Sequence, residues 1–312
     1  MRKVYSFFRR YLVWAVVAGI ACLAFGMLAF ALDYKKATSR FSFPGIGSAI
    51  FLLVLLATAG FVIYFAWNTR KLHITKIRKQ SSNFLKLSTW LAAAMAMVLF
   101  VYETSNIVTF AQYGDGLLQE NFTFVRSSRY VFTFMLSAYF CVAALPAKFR
   151  RKKIVVPKPI KYILSISTVL WGIFGLLSVY FYEGLSFTNV LKLWQVLMYL
   201  VFIFFFLAEA QFENIKPNGF IYVGAALAAF TMSMAFDVST ILALSTRLVD
   251  DMNSFSEIEL VTSFSIGLYA LSRVHAIQRT MKHVMDNSDK HSFSSKFKSK
   301  PDDFATPEEE IK

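Results

Sequence analysis

The chain has 312 residues, of which 56% are hydrophobic and 17% charged, and its mean hydropathy is +0.51. Soluble domains are usually ~45–50% apolar and ~25% charged, and a soluble domain of this size could not bury so much apolar surface. The composition, which includes 34 phenylalanines, therefore excludes an ordinary soluble enzyme, a disordered protein and a coiled coil. It leaves a polytopic membrane protein.

Eight apolar runs are long enough to cross a bilayer as helices. About 20 residues, at a rise of 1.5 Å per residue, cross a hydrocarbon core of about 30 Å. The runs are continuous rather than alternating, which favours helices over the strands of a membrane barrel. The sequence therefore predicts an all-α, polytopic integral membrane protein with eight transmembrane helices, at approximately residues 11–32, 46–67, 86–105, 129–146, 161–182, 190–209, 220–243 and 258–275.

The positive charges lie mainly on one side of these spans. On the side of the N terminus, the loops and tail hold 26 Lys and Arg, whereas the opposite loops and helix ends hold seven. Since Lys and Arg are enriched in cytoplasmic loops, we expect a multi-pass protein of the cytoplasmic (cell) membrane with the N and C termini in the cytoplasm.

The net charge of +14 also bears on the partners of the protein. The cations are concentrated in short loops beside the spans, where each gains about 1 kcal/mol from anionic lipid head groups. We therefore expect the lipid bilayer and its anionic head groups at the cytoplasmic face as partners, and no nucleic acid. A cytosolic or membrane protein partner stays open.

The chain divides at its basic loops. Residues 1–146 form a first four-helix membrane half, 147–160 a basic cytoplasmic loop and 161–275 a second four-helix half. Residues 276–312 are expected to form a short basic extension of the last helix, followed from about Asn287 by a disordered tail, because the composition turns to charged residues, serine and proline.

The third and seventh spans end in similar segments, which suggests an internal repeat. Tyr102–Val108 and Phe236–Leu242 share the order aromatic, acid, any residue, serine, polar, isoleucine, aliphatic. We interpret this as a possible parallel 4+4 helix duplication, with an axis along the membrane normal. Chance similarity between apolar segments is the alternative.

Residue size predicts which spans lie inside the bundle. The third and seventh spans are rich in small residues, which let helix backbones approach closely in lipid, so we expect both to be central. The sixth span carries Phe202, Phe204, Phe205 and Phe206, and this bulky run is expected to face lipid.

Acidic side chains within or beside the spans are the strongest functional candidates, because charge inside a membrane is costly. We predict a tentative ligand-binding pocket open to the outer side, in which a carboxylate would bind a cation or carry a proton. Its residues would be Glu103, Ser105, Lys192, Asp237 and Ser239. The alternative is that Asp237 only reaches interfacial water or a neighbouring cation, Lys192 or Arg247.

Two further pairs of acids have structural interpretations. Glu209 and Glu213 are one helical turn apart at the inner end of the sixth span, where they can pair with basic inner segments. Glu257 and Glu259 begin the eighth span, where negative charge favours a helix N-terminus.

The sequence contains none of the motifs that we searched for as signs of catalysis. It has no G-x-S-x-G, no H-E-x-x-H and no glycine-rich phosphate loop, and no histidine lies beside a second metal ligand inside a span. We therefore expect no enzymatic activity, no cofactor and no metal.

The eight-span layout and the Leu207–Glu213 segment, which closes the sixth span shortly before Pro217, resemble uncharacterised multi-pass membrane proteins of anaerobic Gram-positive bacteria. Those proteins have no assigned activity, so the resemblance implies a bacterial cytoplasmic membrane and no chemistry. Two functions stay open: recognition or transport of a small solute through the outward-facing pocket, and a non-catalytic scaffold or sensor whose basic loops and tail bind a cytosolic partner.

Overall fold

The computed structural model describes residues 2–35, 40–41, 45–69, 82–113, 120–145, 157–181, 190–214, 219–248 and 256–298. These residues form an all-helical bundle in which the only sheet is a two-residue antiparallel pair, β1 (Tyr34–Lys35) and β2 (Arg40–Phe41). The helices are α1 (Arg2–Asp33), α2 (Ile46–Thr69), α3 (Asn83–Tyr113), α4 (Glu120–Ala144), α5 (Lys158–Phe181), α6 (Val190–Asn214), α7 (Gly219–Ser245) and α8 (Glu257–Lys298).

The described helices fit a multi-pass membrane protein. Seven of them, all except α4, are long and apolar enough to cross a membrane. Helix α4 has 25 residues, a sufficient length, but its first half carries Glu120, Arg126 and Arg129. The prediction of an all-α membrane protein with several spans is therefore confirmed, whereas the count of eight depends on α4.

A side chain at the end of α1 caps the start of α2. Asp33, the last residue of α1, accepts hydrogen bonds from the backbone N–H groups of Gly47 and Ser48, with a distance of 3.3 Å for Gly47. The first N–H groups of a helix lack partners within the helix, so the carboxylate satisfies donors that α2 leaves free. Gly45 lies directly against this carboxylate, where a Cβ atom would clash.

Helices adjacent in sequence pack side by side in the pairs α1–α2, α3–α4, α4–α5, α5–α6, α6–α7 and α7–α8. Helix α2 also packs on α7, and α8 lies against both α3 and α7. The most apolar stretch of α8 is 72% buried and that of α7 is 61% buried, against 33% for α3. The prediction of a central seventh span thus holds, but α8 rather than α3 is its companion.

The contacts of the two halves are not equivalent. A 4+4 duplication would pair α3 with α6 as it pairs α7 with α2. Helix α2 packs closely on α7, but α3 and α6 have at most marginal contact in the described residues. The duplication stays a prediction, and superposing residues 1–146 on 161–275 is its test.

Two local predictions are wrong. Phe202, Phe205 and Phe206 are at most 1% exposed, and of the four phenylalanines only Phe204, at 63%, lies on the surface of the bundle. Helix α8 continues through Lys298, so the chain is helical where disorder was expected from Asn287. Residues 299–312 and most of the basic 147–160 loop lie outside the described residues.

Candidate functional site

A buried arginine on α4 ties several helices together. The Nη2 atom of Arg129 lies 2.7 Å from Oε1 of Glu259 on α8, and its Nε atom lies 3.2 Å from Oε1 of Glu103 on α3. Its Nη1 atom donates a 2.8 Å hydrogen bond to the Ser178 hydroxyl on α5. Tyr199 on α6 donates its hydroxyl proton to Glu259. These five residues, the Arg129 cluster, therefore join α3, α4, α5, α6 and α8.

Helix direction explains why these residues meet. Glu103 lies towards the C-terminal end of α3 and Ser178 in the last turn of α5, while Arg129 lies in the first half of α4 and Glu259 in the first turn of α8. Adjacent helices joined by short connections run antiparallel, so the ends of α3 and α5 meet the starts of α4 and α8 at one end of the bundle. The positive-inside pattern predicts that this end is the outer one.

The electrostatics of the Arg129 cluster are unbalanced. One guanidinium faces two carboxylates, so the cluster carries a single negative charge when all three groups are ionised. The side chains of Arg129 and Glu103 are 14% exposed and that of Glu259 is 9% exposed. Moving an ion out of water costs several kcal/mol, and the pairing and hydrogen bonds must offset this cost.

Asp237 is the most deeply buried acid of the predicted pocket. It is 0% exposed and lies in a π-helical stretch of α7, Ser233–Val238. The Ser233 hydroxyl lies 2.9 Å from Asp237 Oδ2 and 3.0 Å from the carbonyl oxygen of Ser263 on α8. The hydrogen bonds of the Ser233 hydroxyl thus connect the Asp237 carboxylate on α7 to the backbone of α8. Single π-helical turns are rare and are often found at functional sites.

Close packing around the π-helical stretch depends on glycine. A Cβ atom on Gly26 of α1 would lie 2.8 Å from the Ala235 carbonyl oxygen and 3.0 Å from the Ser239 side chain. A Cβ atom on Gly267 of α8 would collide with the Ser233 side chain. Helices α1 and α8 can therefore approach the backbone of α7 closely, next to the turn that carries Asp237.

Several buried oxygen atoms in this region make no hydrogen bond within the described residues. They are Oδ1 of Asp237 and the hydroxyl oxygens of Thr240 and Ser263, whose side chains are all 0% exposed. Buried polar atoms are normally paired, so each unpaired one requires an explanation. Asp237 and Thr240 are one turn apart on α7, and the Ser233 hydroxyl bridges Asp237 to the backbone of Ser263.

A second ionic cluster lies at the opposite end of the bundle. Nη2 of Arg273 on α8 lies 2.6 Å from Oε1 of Glu209 on α6, which is 1% exposed. Tyr269 donates a 3.0 Å hydrogen bond to Glu209 Oε1, and Tyr222 on α7 donates one of 2.5 Å to Oε2. The Arg273 guanidinium also stacks over the Phe212 ring, 5.2 Å from its centroid. Glu209 thus pairs with a basic residue, as its structural interpretation predicted.

The structure distributes the five predicted pocket residues over separate contacts. Glu103 belongs to the Arg129 cluster and Asp237 to the π-helical stretch. Ser239 is buried, and its hydroxyl donates to carbonyl oxygens of its own helix. Lys192 is 3% exposed and its Nζ donates a 3.2 Å hydrogen bond to the Tyr180 carbonyl oxygen, whereas Ser105 is exposed.

Sequence reasoning missed Arg129 and assigned Glu259 only to a helix start. The signal that could have identified Arg129 is a cation at the start of an otherwise apolar run. The charge count had assigned this residue to the outer loops and helix ends. Ser256 accepts a hydrogen bond from the Glu259 backbone N–H, as a helix-capping serine does. The Glu259 carboxylate, however, points to Arg129 and Tyr199, and only the tertiary structure shows that.

The described residues contain no group of three His, Cys, Asp or Glu side chains that could hold a metal ion. Comparisons of the chain with known protein families, with curated proteins and with solved structures found no match. The features of the described residues that bear on function are the two ionic clusters, the Asp237 region and the helices that carry them.

Proposed function

We propose that all eight helices cross the cell membrane, with the N and C termini in the cytoplasm. Helix α4 supports this count because it has the length of a span and lies between the apolar helices α3 and α5. Arg129, whose side chain is largely buried, is paired with two carboxylates, which lowers the cost of placing it in lipid. The polar first half of α4 is then compatible with a span.

Reporter fusions on the two sides of α4 test this topology. A reporter at Gly114 and one at Lys152 are separated by α4 alone, so they should lie in different compartments, with Lys152 cytoplasmic. Cysteine labelling of intact cells at the same two positions provides an independent measurement. Finding both positions in one compartment would overturn the eight-span topology.

We propose further that the protein recognises and transports a small solute without enzymatic chemistry. The observation that supports this proposal is that α8 contributes to two buried ionic clusters, one around Glu259 and one around Arg273. At 1.5 Å per residue, these two residues lie about 21 Å apart along the helix. Both clusters also include residues of α6. Opening one cluster while the other stays closed would expose the interior to one side of the membrane at a time, the essential requirement of alternating access.

A ligand screen tests the transport proposal. The purified protein in detergent is heated with members of a panel of amino acids, sugars, nucleosides and organic acids, and compounds that raise the unfolding temperature are then offered to proteoliposomes. We expect a stabilising compound to enter wild-type vesicles, and Glu103→Gln or Asp237→Asn to reduce its uptake while the variants insert normally. If no compound of the panel either stabilises the protein or enters the vesicles, the transport proposal is lost.

A scaffold or sensor that binds a cytosolic partner is the second candidate, and the length of α8 favours it. A helix of 42 residues is about 63 Å long, about twice the thickness of the hydrocarbon core. Ala276, Ile277 and Thr280 are still buried in the bundle, so a clean test deletes residues 284–312. Loss of a co-purifying cytosolic protein with unchanged solute uptake would favour the scaffold, and the reverse would favour transport.

The remaining partner is the membrane itself. We propose that the basic inner loops contact anionic lipid head groups and that the membrane is a bacterial cytoplasmic membrane, as the resemblance of the eight-span layout and the span-six segment implies. Vesicles with and without anionic lipid test the first statement, since binding of head groups should raise the unfolding temperature of the reconstituted protein.

A further inference from the structure

Asp237 is a buried acid without a matching cation among the contacts that the structure gives it. Its one hydrogen-bond partner is the Ser233 hydroxyl, and its Oδ1 atom has none in the described residues. Glu259, an acid with which it interacts electrostatically, adds negative charge, and Arg129 is already shared between Glu259 and Glu103. A carboxylate fully removed from water needs a compensating positive charge, which is either a bound cation or a proton on the carboxyl group itself.

The groups around Asp237 have the chemistry of a site for a hard cation. The unpaired atoms are a carboxylate oxygen and the hydroxyl oxygens of Thr240 and Ser263, and all are completely buried. The carbonyl oxygens of Ala235 and Phe236 in the π-helical stretch already accept hydrogen bonds from the Ser239 hydroxyl, so the unpaired side-chain oxygens are the candidate ligands. Oxygen ligands suit the alkali and alkaline-earth cations rather than zinc or copper.

The charge of the site and the space around it together favour one kind of cation. A single uncompensated carboxylate balances one positive charge, whereas sites for divalent ions usually combine several carboxylates, and the described residues contain no such group. Helices α1 and α8 come close to the site, because Gly26 packs against Ala235 and Gly267 against Ser233. We therefore infer that the space available to an ion is small. A small monovalent cation fits both conditions.

We propose that Asp237, Thr240 and Ser263 bind one sodium ion in the interior of the protein. Ser233 is a positioning residue, because its hydroxyl holds the carboxylate of Asp237 against the backbone of α8. The inference deepens the proposed function, and rests on it, in that the sodium ion would be the coupling ion of transport. Binding of the ion to the purified protein can be measured without any solute.

The test is the thermal unfolding of the full-length protein in detergent in the chlorides of sodium, potassium and choline, at equal ionic strength. We expect sodium to raise the unfolding temperature by at least about 3 °C over choline, because a ligand that binds only the folded state stabilises it. Potassium should have a much smaller effect. Equal unfolding temperatures in the three salts, or an equal effect of potassium, would overturn the proposal.

Variants assign the effect to the site. Asp237→Asn keeps the shape of the side chain but removes its charge, and it should abolish the sodium shift, while Thr240→Val should reduce it. Ser265→Ala is the control, since the buried Ser265 hydroxyl is already bonded to the Thr262 carbonyl oxygen at 2.6 Å and the sodium shift should remain. If Asp237→Asn does not fold, Thr240→Val and Ser263→Ala decide the question, and an unchanged shift in both overturns the proposal.

The same measurements separate this inference from the proposed function. A protein that takes up a solute but shows no sodium shift contradicts the sodium site alone. A protein that shows the sodium shift and its loss in Asp237→Asn, but binds and transports no solute, contradicts transport alone.

Discussion

The Arg129 guanidinium lies 2.7 Å from the Glu259 carboxylate, and this ion pair joins the first membrane half of the chain to the second. Arg129 is on α4 and Glu259 lies in the first turn of α8. Because the two residues are far apart in the sequence, no local sequence pattern could indicate that they form an ion pair. Because Glu103 on α3 and Ser178 on α5 also bind Arg129, and Tyr199 on α6 binds Glu259, the cluster couples five helices.

Replacing Arg129 by glutamine should strongly destabilise the protein. The substitution would leave the Glu103 and Glu259 carboxylates facing each other without a counter-charge in a largely buried site. Removing one partner of a buried ion pair typically costs about 3–5 kcal/mol. We expect a clear fall in the unfolding temperature in detergent, measured by the fluorescence of the native tryptophans.

Arg10→Gln is the matched control for this loss of charge, since Arg10 is exposed on α1. It should change the free energy of unfolding by no more than about 0.5 kcal/mol. Equal stability of the Arg129→Gln and wild-type proteins would show that the cluster contributes little to the folded state.

The second ionic cluster, which is formed around Glu209 and Arg273, should behave as a coupled unit in a double-mutant cycle. Glu209→Gln leaves acceptors and donors for Tyr222 and Tyr269 but removes the charge that faces Arg273. Arg273→Met removes the cation and keeps the long side chain near Phe212. Each single change should destabilise the protein, and the double variant should lose less than the sum, with a coupling energy of about 0.5–3 kcal/mol in chemical unfolding. Strict additivity would mean that the two side chains do not depend on each other.

Asp33 provides a prediction about a helix cap. Asp33→Ala should cost about 0.5–2 kcal/mol, because the first N–H groups of α2, from Gly47 and Ser48, would lose their acceptor. Asp33→Asn keeps one acceptor oxygen and should recover a part of this loss. Thermal unfolding of the two variants checks the order, and an alanine variant as stable as the asparagine variant would contradict it.

The sequence was sufficient for the class of fold because the bilayer imposes it. Long apolar runs such as Ile46–Thr69 have few alternatives to a membrane-spanning helix, and the structure has a helix there. The class of fold depends on local composition, which is readable along the chain. The neighbours of each helix did not follow from the sequence: α2 and α3 are adjacent in sequence but have at most marginal contact in the described residues, and α2 packs on α7 instead.

The candidate site was only partly predictable because it depends on contacts between distant helices. Asp237 and Glu103 were found, since an acid in an apolar run is conspicuous. Arg129 and the role of Glu259 were not, because a charge near a helix end has the same local pattern whether it faces water or a buried partner. The prediction that the phenylalanines of α6 face lipid was wrong for a related reason. Both lipid and the protein interior accept a bulky apolar side chain, so only the tertiary structure shows that Phe202 is buried and Phe204 exposed.

The approach of α8 to the π-helical stretch yields the last prediction. A Cβ atom on Gly267 would collide with the Ser233 side chain, so Gly267→Ala must push α8 away from α7 or displace Ser233 from Asp237. Overpacking of this kind usually costs about 1–3 kcal/mol. Gly60→Ala on α2 is the control, because nothing lies within 4 Å of its added Cβ atom and alanine is the better helix former, so that variant should be as stable as wild type or more stable. Thermal unfolding of the two variants in detergent gives the comparison. If both alanines have the same effect, α8 does not pack on Ser233 as closely as the structure shows, and the enclosed space around Asp237 is not small.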